Sequence, residues 1–139
     1  MSEAVAGKAD SRRIETFEDL IAWQKARALV KEIMSLSEQP PIAHRFGFRD
    51  QIQRAAISTM SNIVEGFERG SRAEFFHFLS IAKGCCAEVR SLTYVGLDAG
   101  YIAPERFQLL NAQTAEVSRL IGGLRASVGR QRDSDRQRT

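Results

Sequence analysis

Two histidines and two cysteines are the side chains of this sequence that would most readily serve as metal ligands or nucleophiles. His44 stands beside Arg45, and His77 lies between Phe76 and Phe78; neither has a second histidine or a carboxylate at ligand spacing. Cys85 and Cys86 are adjacent, and a bond between neighbours would close a strained ring, so both are expected to be reduced thiols. Either could attack a substrate only beside a base and a positive site, and both fall mid-helix on or next to an apolar stripe. Gly122-Gly123 lacks the preceding strand and the lysine that a phosphate-cradling loop requires. The expectation is therefore no catalytic residue, no metal and no cofactor.

A different chemistry, hydrogen bonding and ion pairing, is written into residues 54 to 69. Arg54, Ser58, Ser61, Asn62, Glu65 and Arg69 recur at helical spacing and share one face. Apolar residues bound it, with Ala55, Ile63 and Gly66 on one side and Ile57 and Val64 on the other. Three readings stay open for this narrow stripe: solvated decoration, a hydrogen-bond network between helices or subunits, or a ligand or nucleic-acid site. Arg54, Ser58, Asn62, Glu65 and Arg69 are the candidates for a polar assembly network. Glu65 and Arg69 form an i, i+4 pair of the favourable orientation. Gly66 costs about 1 kcal/mol relative to alanine in a helix, which suggests close packing there.

The second candidate set is basic. Of 20 lysines and arginines 16 are arginine, which suits bidentate contacts to phosphate or carboxylate, although a GC-rich genome would give the same bias. Arg130, Arg132, Arg136 and Arg138 crowd the end of the chain and are the candidate nucleic-acid contacts. Trp23, on an apolar stripe, reads as a core or interface anchor; stacking on a base would need it exposed.

These residues must be positioned by helices. The chain of 139 residues suits one domain, and with 43% apolar residues and a net charge of +3 it has the means to fold. Prolines occur only at 40, 41 and 104, and no stretch alternates with period two. The first helix is expected from Thr16, with Asp19 at its third position, to about Ser37. A second runs from about Arg49 to Arg69. A third, expected to be the longest, opens with a capping box at Ser71 and Glu74 and ends near Gly100. The fourth starts at Pro104 and carries Phe107, Leu110, Thr114, Val117, Ile121, Leu124 and Val128 at alternating spacings of three and four. Short connections make this an all-α, antiparallel, up-down-up-down four-helix bundle over residues 16 to 128. Residues 1 to 15 and 129 to 139 read as disordered tails, the latter basic. Without an apolar leader or an apolar run long enough to span a bilayer, the protein is expected to be cytoplasmic, with no membrane partner.

A resemblance emerges from these same positions. Trp23-Gln24-Lys25-Ala26, Gln51, Arg54-Ala55-Ala56, Ser58, Asn62-Ile63-Val64-Glu65-Gly66, Arg69, Glu74-Phe75, Phe78-Leu79 and Ala82-Lys83-Gly84 resemble the four-helix-bundle family of 23S ribosomal RNA intervening-sequence proteins. The likeness runs from about Phe17 to Leu124, with Cys85 where the family has a serine after Gly84. It implies a ring-like homopentamer without enzymatic activity. The family is also similar to the accessory variability determinant proteins of diversity-generating retroelements, which implies nucleic acid, RNA or DNA, and a reverse transcriptase as partners. The function expected is a non-enzymatic homo-oligomer that binds nucleic acid. The alternative is a structural or protein-adaptor bundle with no nucleic-acid role.

Overall fold

The computed structural model describes residues 13–138. Four helices make the bundle: α1 Ile21–Ser37, α2 Phe46–Glu68, α3 Arg72–Asp98 and α4 Pro104–Arg138, with single 3-10 turns at Phe17–Asp19 and Ile42–His44. Among the described residues there is no strand. Each helix runs antiparallel to its chain neighbour. α2 and α4 each pack against both α1 and α3, so α1 and α3 occupy opposite corners.

The apolar stripes are what close the bundle. Leu29, Ile33, Ile52, Ile63, Leu79, Leu110, Ile121 and Leu124 are fully buried, and each contributes about 1.5–3 kcal/mol relative to an exposed side chain. All seven positions of the α4 pattern, Phe107 to Val128, are buried. Ser71 Oγ accepts the Glu74 N–H at 3.1 Å and so caps α3 as its spacing predicts. Gly70 and Gly100, both with φ near +80°, end α2 and α3 in the left-handed region.

Two helix starts differ from the sequence expectation. The Thr16–Asp19 box exists, with Asp19 Oδ2 accepting the Thr16 N–H at 3.0 Å, but it closes one 3-10 turn. Leu20 then adopts extended backbone to bury its side chain completely, and α1 begins only at Ile21. α2 begins at Phe46, three residues earlier than expected.

The largest difference is at the C-terminus. Residues 129 to 138, expected to be a disordered tail, continue α4, which at 35 residues exceeds the 27 of α3 as the longest element. Gly129 is buried against Phe76, and Arg72 of α3 holds Asp135 at 2.8 Å. Of the expected N-terminal tail, residues 1 to 12 lie outside the described residues. Ile14 packs against the core and the Glu15 N–H reaches Asp19 Oδ2 at 2.9 Å, so the ordered chain starts before residue 16.

Candidate functional site

The α2 stripe faces outward, and its polar groups are satisfied mostly within the helix itself. Arg54 pairs with Asp50 at 2.9 Å, with both side chains well exposed. Asn62 Nδ2 donates to the Ser58 carbonyl at 2.8 Å, so the Ser58 backbone rather than its hydroxyl makes that link. Arg69 pairs with Glu65 at 3.0 Å and with Glu74, across the turn on α3, at 3.6 Å, while its guanidinium lies 4.9 Å from the Phe78 ring centre. These side chains are about half exposed, and exposed pairs contribute under about 1 kcal/mol each. What the stripe borders is more specific. A Cβ on Gly66 would stand 2.7 Å from Phe78 Cβ and 3.0 Å from Phe75 Cδ1, so the glycine lets α3 approach the back of the stripe.

On its other side the stripe edges an open apolar groove of about 380 Å³ lined by Phe17, Trp23, Met60, Ser61, Val64 and Glu65. Trp23 forms its floor. The ring is 8% exposed, meets Phe17 edge-on at 5.1 Å and carries Arg27 at 5.7 Å from its centre, yet its indole N–H is buried without an acceptor. Ile57, one turn from Ser61 on the same helix, is 43% exposed. Trp23 is thus enclosed rather than available to stack on a base.

The basic residues of the C-terminus fall on an ordered helix. Six arginines and two aspartates between 119 and 138 give this segment a net +4, so the rest of the chain sums to −1. Arg132 and Arg136 both approach Asp133, at 3.1 Å and 3.8 Å. Arg130 and Arg138 are exposed and face no carboxylate among the described residues.

Sequence reasoning missed three cations, Lys83, Arg90 and Arg125, that the register of α3 against α4 brings to one seam with the candidate Arg132. Arg90 Nε donates to Asn111 Oδ1 at 2.9 Å, Lys83 Nζ donates to Ser118 Oγ at 3.2 Å, and Arg125 Nε donates to Ser80 Oγ at 2.7 Å. Below them two guanidiniums lie over the Phe76 ring, with Arg125 at 4.3 Å and Arg132 at 4.1 Å from its centre. The seven-residue spacings of Lys83 to Arg90 and of Arg125 to Arg132 are the signal in the sequence. It becomes legible only once the two helices are known to be neighbours.

The thiols offer little chemistry. Cys86 is fully buried, and its Sγ donates to the Thr114 carbonyl at 3.4 Å. Burial pushes its pKa up to about 11, against the smaller lowering fields of Lys83 and Arg90, and so holds it protonated near neutral pH. Cys85 is also raised, by burial and then by Glu88. Among the described residues no group of three histidine, cysteine or acidic side chains could hold a metal, and no helix is long and apolar enough to cross a membrane.

The fold has a counterpart among solved proteins. A solved protein of unknown function from the S23 ribosomal protein family of Bacteroides thetaiotaomicron superposes with a TM-score of 0.71. At 22% identity the match covers 76% of this chain and 96% of that one, and it carries the fold alone. No curated protein sequence matches the chain. A family model matches residues 18–123, which spans the Trp23 region of α1, the whole α2 stripe, α3 and just over half of α4. By that match the chain belongs to the family of 23S rRNA-intervening sequence proteins.

Proposed function

We propose that this protein is a non-enzymatic, cytoplasmic, self-associating bundle that binds nucleic acid through the basic C-terminal part of α4. The observation that carries the reading is the placement of charge: residues 119 to 138 hold a net +4 while the rest of the chain sums to −1. An ordered helix fixes that charge in space, and association would repeat it on each subunit, building a field that attracts phosphate. The groove floored by Trp23, with Ile57 exposed beside it, supports association, because a second subunit would cover apolar surface that one bundle leaves open. Arg54, Ser58, Asn62, Glu65 and Arg69 then border the subunit contact, and a homopentamer is the count that the family resemblance supplies. A reverse transcriptase partner follows only from the likeness to accessory variability determinant proteins.

Fluorescence anisotropy with a structured RNA and a DNA duplex, at two salt concentrations, tests the reading. Binding whose log affinity falls linearly with log salt, with little sequence preference, is the expected result. No binding at about 50 mM salt, where electrostatic contacts are strong, would replace it with the protein-adaptor function.

A further inference from the structure

The seam between α3 and α4 carries a row of cations whose cross-helix partners are neutral. From the upper end downward, Arg90 is held by Asn111, Lys83 by Ser118, Arg125 by Ser80, and Arg125 and Arg132 by the ring of Phe76. A carboxylate partner would cancel each charge; an amide, a hydroxyl or an aromatic ring positions the cation and leaves its charge intact. Lys83, Arg90 and Arg125 make no ion pair with any described residue. Only at the foot do acids enter, where Asp133 meets Arg132 and Asp135 meets Arg72.

The dimensions are those of a polyanion. Arg90 and Phe76 are fourteen residues apart on one helix, or about 21 Å at 1.5 Å per residue, and a nucleic-acid strand places about six phosphates along that length of duplex axis. The Phe76 ring at the lower end is crowded by two guanidiniums, at 4.3 Å and 4.1 Å from its centre, and Gly129 meets its edge. Contacts there can read backbone charge but have no platform for unstacked bases.

We infer that Arg90, Lys83, Arg125 and Arg132 form a track along the α3–α4 seam that holds the phosphate backbone of a nucleic-acid duplex. The inference rests on the nucleic-acid reading above and extends the contact surface from the C-terminal segment across to α3. The Lys83 and Arg90 sites fall within the stretch matched by the family model, whereas Arg125 and Arg132 lie beyond it. The part of α4 beyond residue 123 therefore completes the row.

The test compares the full-length protein with Lys83→Gln/Arg90→Gln, using a DNA duplex and an RNA duplex of equal length and the corresponding single strands. The track predicts that the double variant binds duplex about tenfold more weakly at about 50 mM salt, with a log–log salt slope smaller by about 1.8. Lys83→Arg/Arg90→Lys should restore both. Ser118→Ala/Asn111→Ala removes the cross-helix bonds but keeps the charges, so it should leave the slope unchanged; a loss of slope there would mean that the cations act only as bundle struts and would overturn the track. Unchanged duplex affinity of Lys83→Gln/Arg90→Gln beside a binding wild type would also overturn the track and leave the C-terminal reading standing. Tighter binding of single strands than of duplex would overturn the duplex assignment. Absence of binding by the wild type would overturn both.

Discussion

The edge of the Phe76 ring occupies the space that a side chain at position 129 would fill: a Cβ on Gly129 would stand 3.0 Å from Phe76 Cε2 and 3.3 Å from Cδ2. The contact fastens the last turns of α4 to the start of α3. Arg125 and Arg132 lie over the same ring. Gly129→Val should destabilise the protein by about 1–3 kcal/mol, because a β-branched side chain must displace the ring from its two guanidinium contacts. A thermal melt reads the loss, and an unchanged melting temperature would show that the ring is free to move aside.

Truncation after Val128 removes four arginines and two aspartates, a net loss of two positive charges. For a disordered tail this would flatten the salt dependence of binding and nothing else. The observed helix predicts a second effect, a stability loss of about 1–2 kcal/mol, from the Arg132 cation–π contact and the Arg72–Asp135 pair together. Denaturant unfolding of the truncated protein measures it directly.

Two glycine substitutions should move stability in opposite directions. Gly66→Ala gains about 1 kcal/mol of helix propensity but drives its methyl into Phe78 Cβ, an atom tied closely to the backbone, so a net loss is expected. At Gly123 an added Cβ meets nothing within 4 Å, and Gly123→Ala should stabilise the chain by about 0.5–1 kcal/mol. Melting temperatures that shift the same way for both would refute the packing account of Gly66.

Glu65→Ala separates the readings of the α2 stripe. Within one subunit Glu65 meets Arg69 across a half-exposed pair, so subunit stability should change by less than about 1 kcal/mol. If the stripe borders a subunit contact, the mass from light scattering should nevertheless fall from a multiple of 15.5 kDa toward a single chain. A wild type that already runs at 15.5 kDa would dispose of association altogether.

Cys86 gives a pH signature. Its folded pKa, raised from 9.0 to about 11, means that the native thiol keeps its proton where the unfolded one has lost it. Its stabilising contribution is complete below about pH 9 and is lost as pH rises through about 11, with a slope of at most about 1.4 kcal/mol per unit. The difference in unfolding free energy between wild type and Cys86→Ala should shrink over that interval. A constant difference would mean that the buried thiol ionises as readily as an exposed one.

How much of this could be read in the sequence depended on whether side chains or backbone do the burying. The α4 pattern from Phe107 to Val128 announced itself because seven side chains repeat at heptad spacing, and all seven are buried. Residues beyond it contain no apolar side chain and so resembled a tail; the burial there is of Gly129 backbone and of arginines lying over an aromatic ring. The Thr16 box was a true local signal that Leu20 overrode by entering the core in extended backbone. The α2 stripe was correctly placed on one helix face, but whether its charges pair along the helix or across it required coordinates. The seam cations needed more, since no pattern in either helix states which α3 residue stands opposite Ser118 or Asn111.

Lys83 is the one primary amine in a row otherwise made of guanidiniums, and this gives the seam a single position open to acylation. An acetyl group on Nζ would cancel one of the three seam charges that no carboxylate offsets while the resulting amide N–H could still donate to Ser118 Oγ. Charge on this face could thus be lowered in one covalent step with the α3–α4 bond retained. Mild chemical acetylation should weaken duplex binding by the wild type and spare Lys83→Arg, so the seam would work as a dial as well as a handhold.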